Sequence, residues 1–332
     1  MLLLVVVGAS AGWWFGGGYE RWQDGRSLRG LCGGALDTGE VRELLDGAGR
    51  LRGHEEAPNG ALVDCWVSAP DRFGILSVRI GWEVPMTRDV LDGYRRSRPS
   101  RAAGTPLVPL GAGWAGVVSA LDDGTARLAL SLPCTGKESA RQLVVELNAD
   151  PTRSRTGPAD DFASADQRAR LGRIATRIAR RADTLWGCAA PLGGAVTEVP
   201  GRTAVATADR GRADGTCAGV DGPVREGPAD PTVPIEDCAV LRPGRPDTEV
   251  LRLSAYYPPF AAEARYREGL APTKTEPGVR GDAAWATAKC PTGQAFFLAV
   301  RLERMDTPAA DALAGFARRS AERHGCEAPR LP

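Results

Sequence analysis

The stretch ARRADTLWGCAAP at residues 179–191 returns as ARRSAERHGCEAP at residues 317–329. In both, Ala-Arg-Arg precedes Gly-Cys by the same interval and a proline follows. The likeness continues outward. Cys134-Thr135-Gly136 resembles Cys290-Pro291-Thr292-Gly293, and Cys32-Gly33-Gly34 parallels Cys217-Ala218-Gly219. Cys65 and Cys238 each have a proline five residues on, at Pro70 and Pro243. The eight cysteines thus form two sets of four, in the same order and local contexts. This reads as an internal duplication. It pairs Cys32 with Cys65, Cys134 with Cys188, Cys217 with Cys238 and Cys290 with Cys326. Eight cysteines allow ~105 pairings, so the selection rests on the repeat.

The elements expected of the two halves agree. Leu76, Val78, Ile80 and Trp82 alternate with Ser77, Arg79 and Gly81, the period-two pattern of a half-buried strand. Leu251, Leu253, Ala255 and Tyr257 do the same after Cys238. Short helices are expected at 87–96 and 261–269. Strands follow at 117–120 and 126–132, joined by an Asp122-Asp123-Gly124 turn, and again at 143–147 and 296–302. A helix closes each half. Ser164 with Gln167 makes a capping box ahead of an apolar face of Leu171, Ile174, Ile178 and Leu185, and Gly187 ends it. Its counterpart starts at Thr307-Pro308, packs Leu313 and Phe316, and stops at Gly325. A further helix at 40–45 opens behind Asp37 and ends before Gly47. Residues 148–163 read as a surface loop, and 189–234 as a connecting region with a strand within 196–207. The expected class is α+β: two related lobes of antiparallel sheet packed with helices, at 31–192 and 217–332, joined by a linker at 193–216.

The chain of 332 residues suffices for about two domains. Its net charge of +1 offers no field to attract nucleic acid, which is not an expected partner. Residues 2–18 carry no charge, and Trp13, Trp14, Phe15, Tyr19 and Trp22 cluster at one end like an interfacial aromatic belt. Residues 1–19 therefore read as a transmembrane anchor, with 20–30 as a juxtamembrane linker. The alternative is a secretory signal, cut after the small residues Ala9-Ser10-Ala11 and leaving a secreted protein. Arg21, Arg26 and Arg29 follow the run and none precedes it, which favours a cytoplasmic bulk. The cysteines oppose this, because long-range bridges persist only in an oxidising compartment. The expectation sides with them: a single-pass membrane protein whose bulk is extracytoplasmic. Gly8, Gly12 and Gly16, at four-residue spacing, offer a face for a homodimer through the helix.

From Cys32 through the segment Leu36-Asp37-Thr38-Gly39-Glu40-Val41-Arg42-Glu43-Leu44-Leu45 and Gly47 to Cys65-Trp66, the chain resembles exported actinobacterial envelope proteins of unknown function. The resemblance spans about 35 residues. It implies an envelope location and brings no active site. A lipoprotein motif, present in some of those proteins, is lacking, since Leu31 precedes Cys32.

Chemistry is sparse. The histidines are His54, beside Glu55 and Glu56, and His324, beside Gly325-Cys326; both read as structural or solvated. Asp122-Asp123 belongs to a turn and Asp160-Asp161 to the loop. Gly136-Lys137 lacks the upstream glycine of a phosphate loop. Cysteines without C-x-x-C pairs do not make zinc knuckles. No catalytic residue, cofactor or metal is expected. Arg168, Arg170, Arg173, Arg177, Arg180 and Arg181 crowd one helix, either meeting anionic lipid or a wall polymer, or forming its charged outer face. The expected function is a non-enzymatic binding module with an envelope protein or wall polymer as partner. A hydrolase without a recognisable motif and a purely structural envelope protein are the alternatives.

Overall fold

The computed structural model describes residues 18–45, 50–56, 60–70, 74–96, 107–120, 125–137, 141–150, 164–201, 206–209, 211–270, 276–303 and 309–332. Residues 2–18 with Gly8, Gly12 and Gly16, the Asp122-Asp123-Gly124 turn, Asp160-Asp161 and the Thr307-Pro308 helix start lie wholly or almost wholly outside them. Among the described residues no helix is long and apolar enough to cross a membrane.

The chain is α+β, built on two antiparallel seven-stranded sheets. The first runs β1-β2-β3-β7-β6-β5-β4, from β1 (Arg52–Glu55), β2 (Val63–Ala69), β3 (Gly74–Trp82), β4 (Val108–Pro109), β5 (Gly116–Ala120), β6 (Ala126–Pro133) and β7 (Gln142–Asp150). The second runs β8-β9-β10-β11-β14-β13-β12, from β8 (Ala206–Ala208), β9 (Val224–Glu226), β10 (Ile235–Arg242), β11 (Arg245–Tyr256), β12 (Gly278–Arg280), β13 (Ala283–Cys290) and β14 (Gly293–Arg301). Registers align the two. Across the first sheet Glu55, Cys65, Val78, Leu147, Leu128 and Val118 stand in one row. Across the second the same row reads Glu226, Cys238, Leu253, Ala299, Ala284 and Val279. Six strands therefore correspond, and β4 and β8 are additions at opposite edges.

Helices sort by face. α1 (Gly18–Ser27) and α2 (Thr38–Leu44) open the first lobe, and Asp37 caps α2 by accepting from the Gly39 and Glu40 amides. α4 (Ala165–Trp186) packs on the outer face of the first sheet, burying Leu171, Ile174 and Ile178 against Val78, Leu128 and Val145. α6 (Ala309–Arg323) does the same on the second with Leu313 and Phe316. α3 (Glu83–Arg96) and α5 (Phe260–Arg267) lie between the sheets, where Met86, Val90 and Phe260 join Val144, Phe296 and Leu298 in a third apolar cluster.

The four bridges join Cys32 to Cys65, Cys134 to Cys188, Cys217 to Cys238 and Cys290 to Cys326, the pairs that the repeat selects. Such bridges suit an oxidising, extracytoplasmic or secreted setting.

Several boundaries differ from expectation. Residues 20–30 are not a linker: α1 occupies most of them, Leu28 is buried, and buried Asp24 accepts from the Leu51 amide at 3.2 Å and pairs with Arg42. The linker at 193–216 belongs largely to the lobes. Val196 and Val199 are buried against α4, the Trp114 indole donates to Gly194 O at 2.8 Å, and Arg168 reaches Val199 O. No strand forms over 196–201; only β8 does, and it joins the second sheet. The loop expected from 148 begins later, because β7 runs to Asp150. Leu185 is 43% exposed rather than part of the apolar face, as its side chain lies at the rim of α4 near Gly33.

Candidate functional site

A cleft of about 360 Å³ opens between the lobes. Its floor is the inner face of the second sheet. Alternation along β10 and β11 turns Ile235, Asp237, Arg252, Ser254 and Tyr256 to this face while Cys238 and Leu253 enter the core behind. Leu298 and Val300 of β14 and Leu302 just beyond it extend the floor, and Leu91 and Tyr94 of α3 cover it. The walls are thus mainly apolar, with a short polar row on the floor and Arg267 and Glu268 beside it. There Ser254 Oγ donates to Asp237 Oδ1 at 3.0 Å, and Arg252 holds Glu249 with two bonds of 2.8 and 2.7 Å. Burial works against the Arg252 charge, but Glu249 and Asp237 outweigh it and raise its pKa. A mainly apolar hollow with a few convergent polar groups is the usual form of a small-molecule site.

Behind the same sheet lies a buried polar network. The Glu236 carboxylate, fully buried, accepts from Ser320 Oγ at 2.7 Å and from Arg323 at 2.7 Å, and lies 3.0 Å from His324 Nε2. Tyr257 OH bonds Ser320 Oγ at 2.6 Å, and its ring stacks on His324. Burial alone would raise the Glu236 pKa; His324, Arg323 and Ser320 together hold it below the usual carboxylate range. Burial, followed by the charge of Glu236, pushes the Tyr257 phenol upward. In the first lobe the matching positions hold Val63, Ala182, Leu185, Trp186 and Trp82. The network replaces an apolar arrangement.

The residues singled out in the sequence scatter over the molecule, and most serve the fold. His54 sits on the exposed edge strand β1, its ring 5.3 Å from Trp66 and away from the cleft. Gly136 closes the first lobe: its amide donates to Cys188 O at 2.8 Å, and a Cβ there would lie 2.5 Å from Gly187 O. The arginines of α4 turn inward more than expected of an outer face. Arg173 grips Glu40 with bonds of 2.9 and 3.2 Å, Arg170 pairs with Glu43 and Asp166, Arg177 pairs with Asp37, and Arg180 lies over Trp114. Arg170, Arg173 and Arg177 thus spend their charge partly on α2 and its cap, while Arg177, Arg180 and Arg181 remain exposed. Among the described residues no group of acids, histidines and cysteines could hold a metal ion.

Asp237, Arg252 and Ser254 do not stand out in the sequence. A signal existed: an aspartate directly precedes the cysteine of β2 and of β10, as Asp64-Cys65 and Asp237-Cys238. No protein-family model, curated protein or solved structure matches the chain.

Proposed function

We propose that the protein is a non-enzymatic binding module of the cell envelope, tethered by residues 2–18, whose interlobe cleft takes a small, mainly apolar ligand bearing one hydrogen-bonding group. The cleft carries this reading: apolar walls reward burial of an apolar body, at ~25 cal/mol per Å², while Asp237, Ser254 and Arg252 fix one polar end. The four bridges support an extracytoplasmic bulk. The uncharged run at 2–18 supports the tether.

Nile red titration of the full-length protein tests the site. Saturable, blue-shifted fluorescence is expected from the wild type, and Leu298→Trp, which fills the cleft, removes it while the unfolding transition stays within about 2–4 °C. An unsaturable signal, or one unchanged in Leu298→Trp, rejects the cleft as the binding site.

A further inference from the structure

The first sheet carries its own version of the cleft. Ser77, Asn148 and Asp150 stand in register where Arg252, Val300 and Leu302 line the cleft of the second. The deeper positions differ. Arg79, at the station of Ser254, bridges Asp64 at 3.1 Å and Asp89 at 2.5 Å, and buried Glu146 occupies the station of Leu298. These side chains fill the deep end and leave a shallower hollow of about 320 Å³.

What lines that hollow is polar and ordered by the sheet. Ser77, Asn148 and Arg127 form one cross-strand row over β3, β7 and β6, with Asp150 and Ile75 opposite each other one step along. Asn148 bonds the Glu146 carboxyl and leaves its Oδ1 buried without a partner. Arg127 lies against α3, where a Cβ on Gly93 would collide with its guanidinium. The lining offers a guanidinium and a hydroxyl to donate and a carboxylate and an amide oxygen to accept. An anion would face Asp150 and a cation Arg127. Atoms that both donate and accept without charge satisfy the set, and Ile75, 41% exposed, gives a small apolar platform for the C–H face of a ring.

We propose that this hollow is a second binding site, selective for a neutral, hydroxyl-rich ligand with the size of one or two sugar rings. It deepens the binding-module reading, and rests on that reading for its setting only, since it shares no lining residue with the cleft.

The test is saturation-transfer NMR on the full-length protein in phosphocholine-detergent micelles, with maltose as the probe and glucuronate and glucosamine as charged counterparts. Maltose is expected to bind saturably with a Kd on the order of 1 mM. Asn148→Ala and the milder Ser77→Ala each weaken it by about tenfold or more, while Leu298→Trp leaves it unchanged. Far-UV circular dichroism on the same samples reports the fold of each variant, and Nile red binding, with the signal of protein-free micelles subtracted, reports the cleft, so failure of one site is told from failure of the other. No saturation by maltose, equal binding by both hollow variants, loss of maltose in Leu298→Trp, or tighter binding of either charged sugar overturns the proposal.

Discussion

At the residue scale, Glu236 and Glu146 are buried carboxyls with opposite consequences. Glu236 has a lowered pKa, so its ionised form stabilises the fold above the unfolded carboxyl value of ~4.3, and that contribution is lost as pH falls through the folded value. Glu236→Gln is expected to cost on the order of 3 kcal/mol at neutral pH, since Arg323 is left without its anion, and the gap to wild type narrows in acid. Glu146 is raised, chiefly by burial, so its protonated form suits the fold and stability declines as pH rises through the folded value. Glu146→Gln is expected to raise the denaturation midpoint at neutral pH, with the gain fading below ~4.3. Denaturation curves over a pH series check both signs. Neither role was legible in sequence. Glu236 sits in the buried run Pro234-Ile235-Glu236-Asp237-Cys238, and its partners lie more than eighty residues on, brought near only when α6 closes on the sheet. Ser320 and Arg323 at i and i+3 in the last turn of α6, with His324 directly after it, were a faint sign.

Between elements, α3 and α5 meet at corresponding positions. Arg88 stands six residues beyond Trp82 and Glu263 six beyond Tyr257; Asp92 and Arg267 stand ten beyond. Arg88 faces Glu263 at 3.7 Å and Arg267 faces Asp92 at 2.6 Å. Equivalent positions facing each other mark a pseudo-two-fold axis, and the charges are opposite because the halves have diverged. Two like lobes would meet Arg to Arg and Asp to Asp. Reversal of Asp92→Arg is expected to destabilise by about 1–2 kcal/mol, and adding Arg267→Asp to recover most of it, in a double-mutant cycle by urea denaturation. Asp37→Ala removes the α2 cap and the Arg177 partner, with an expected loss of about 1 kcal/mol. Strands and closing helices were readable because period and caps are local signals. The segment at 193–201 was not: its Gly193-Gly194 and scattered valines have no periodicity, yet Gly193 lies so close to Trp114 that a Cβ would stand 2.4 Å from the ring. Such packing is written in shape, not pattern.

For the whole molecule, the duplication was the most legible feature, since eight cysteines in matched contexts carry long-range information that periodicity cannot. What it did not carry is the filling between the lobes: the apolar cluster of Met86, Val90, Phe260 and Phe296 joins residues on three separate elements. That cluster predicts cohesion. A protease site placed within 202–205 and cut is expected to leave the halves co-eluting in gel filtration under native, non-reducing conditions; separation would mean that the chain connection alone holds them. Mass mapping of blocked, non-reduced protein from its native membrane is expected to return the four within-half bridges, whereas eight blocked thiols would assign the bulk to a reducing compartment.

The bridges also govern how the chain bears load. Pull between its two ends, and force crosses each bond instead of following the backbone around it. The 33 positions from Cys32 to Cys65, 54 from Cys134 to Cys188, 21 from Cys217 to Cys238 and 36 from Cys290 to Cys326 stay slack. None of the loops overlaps another, so each is a separate reserve of length, at most ~3.6 Å per residue, released only by a reductant. Stretched in a force spectrometer, the oxidised protein would be a short tether and the reduced protein a long one.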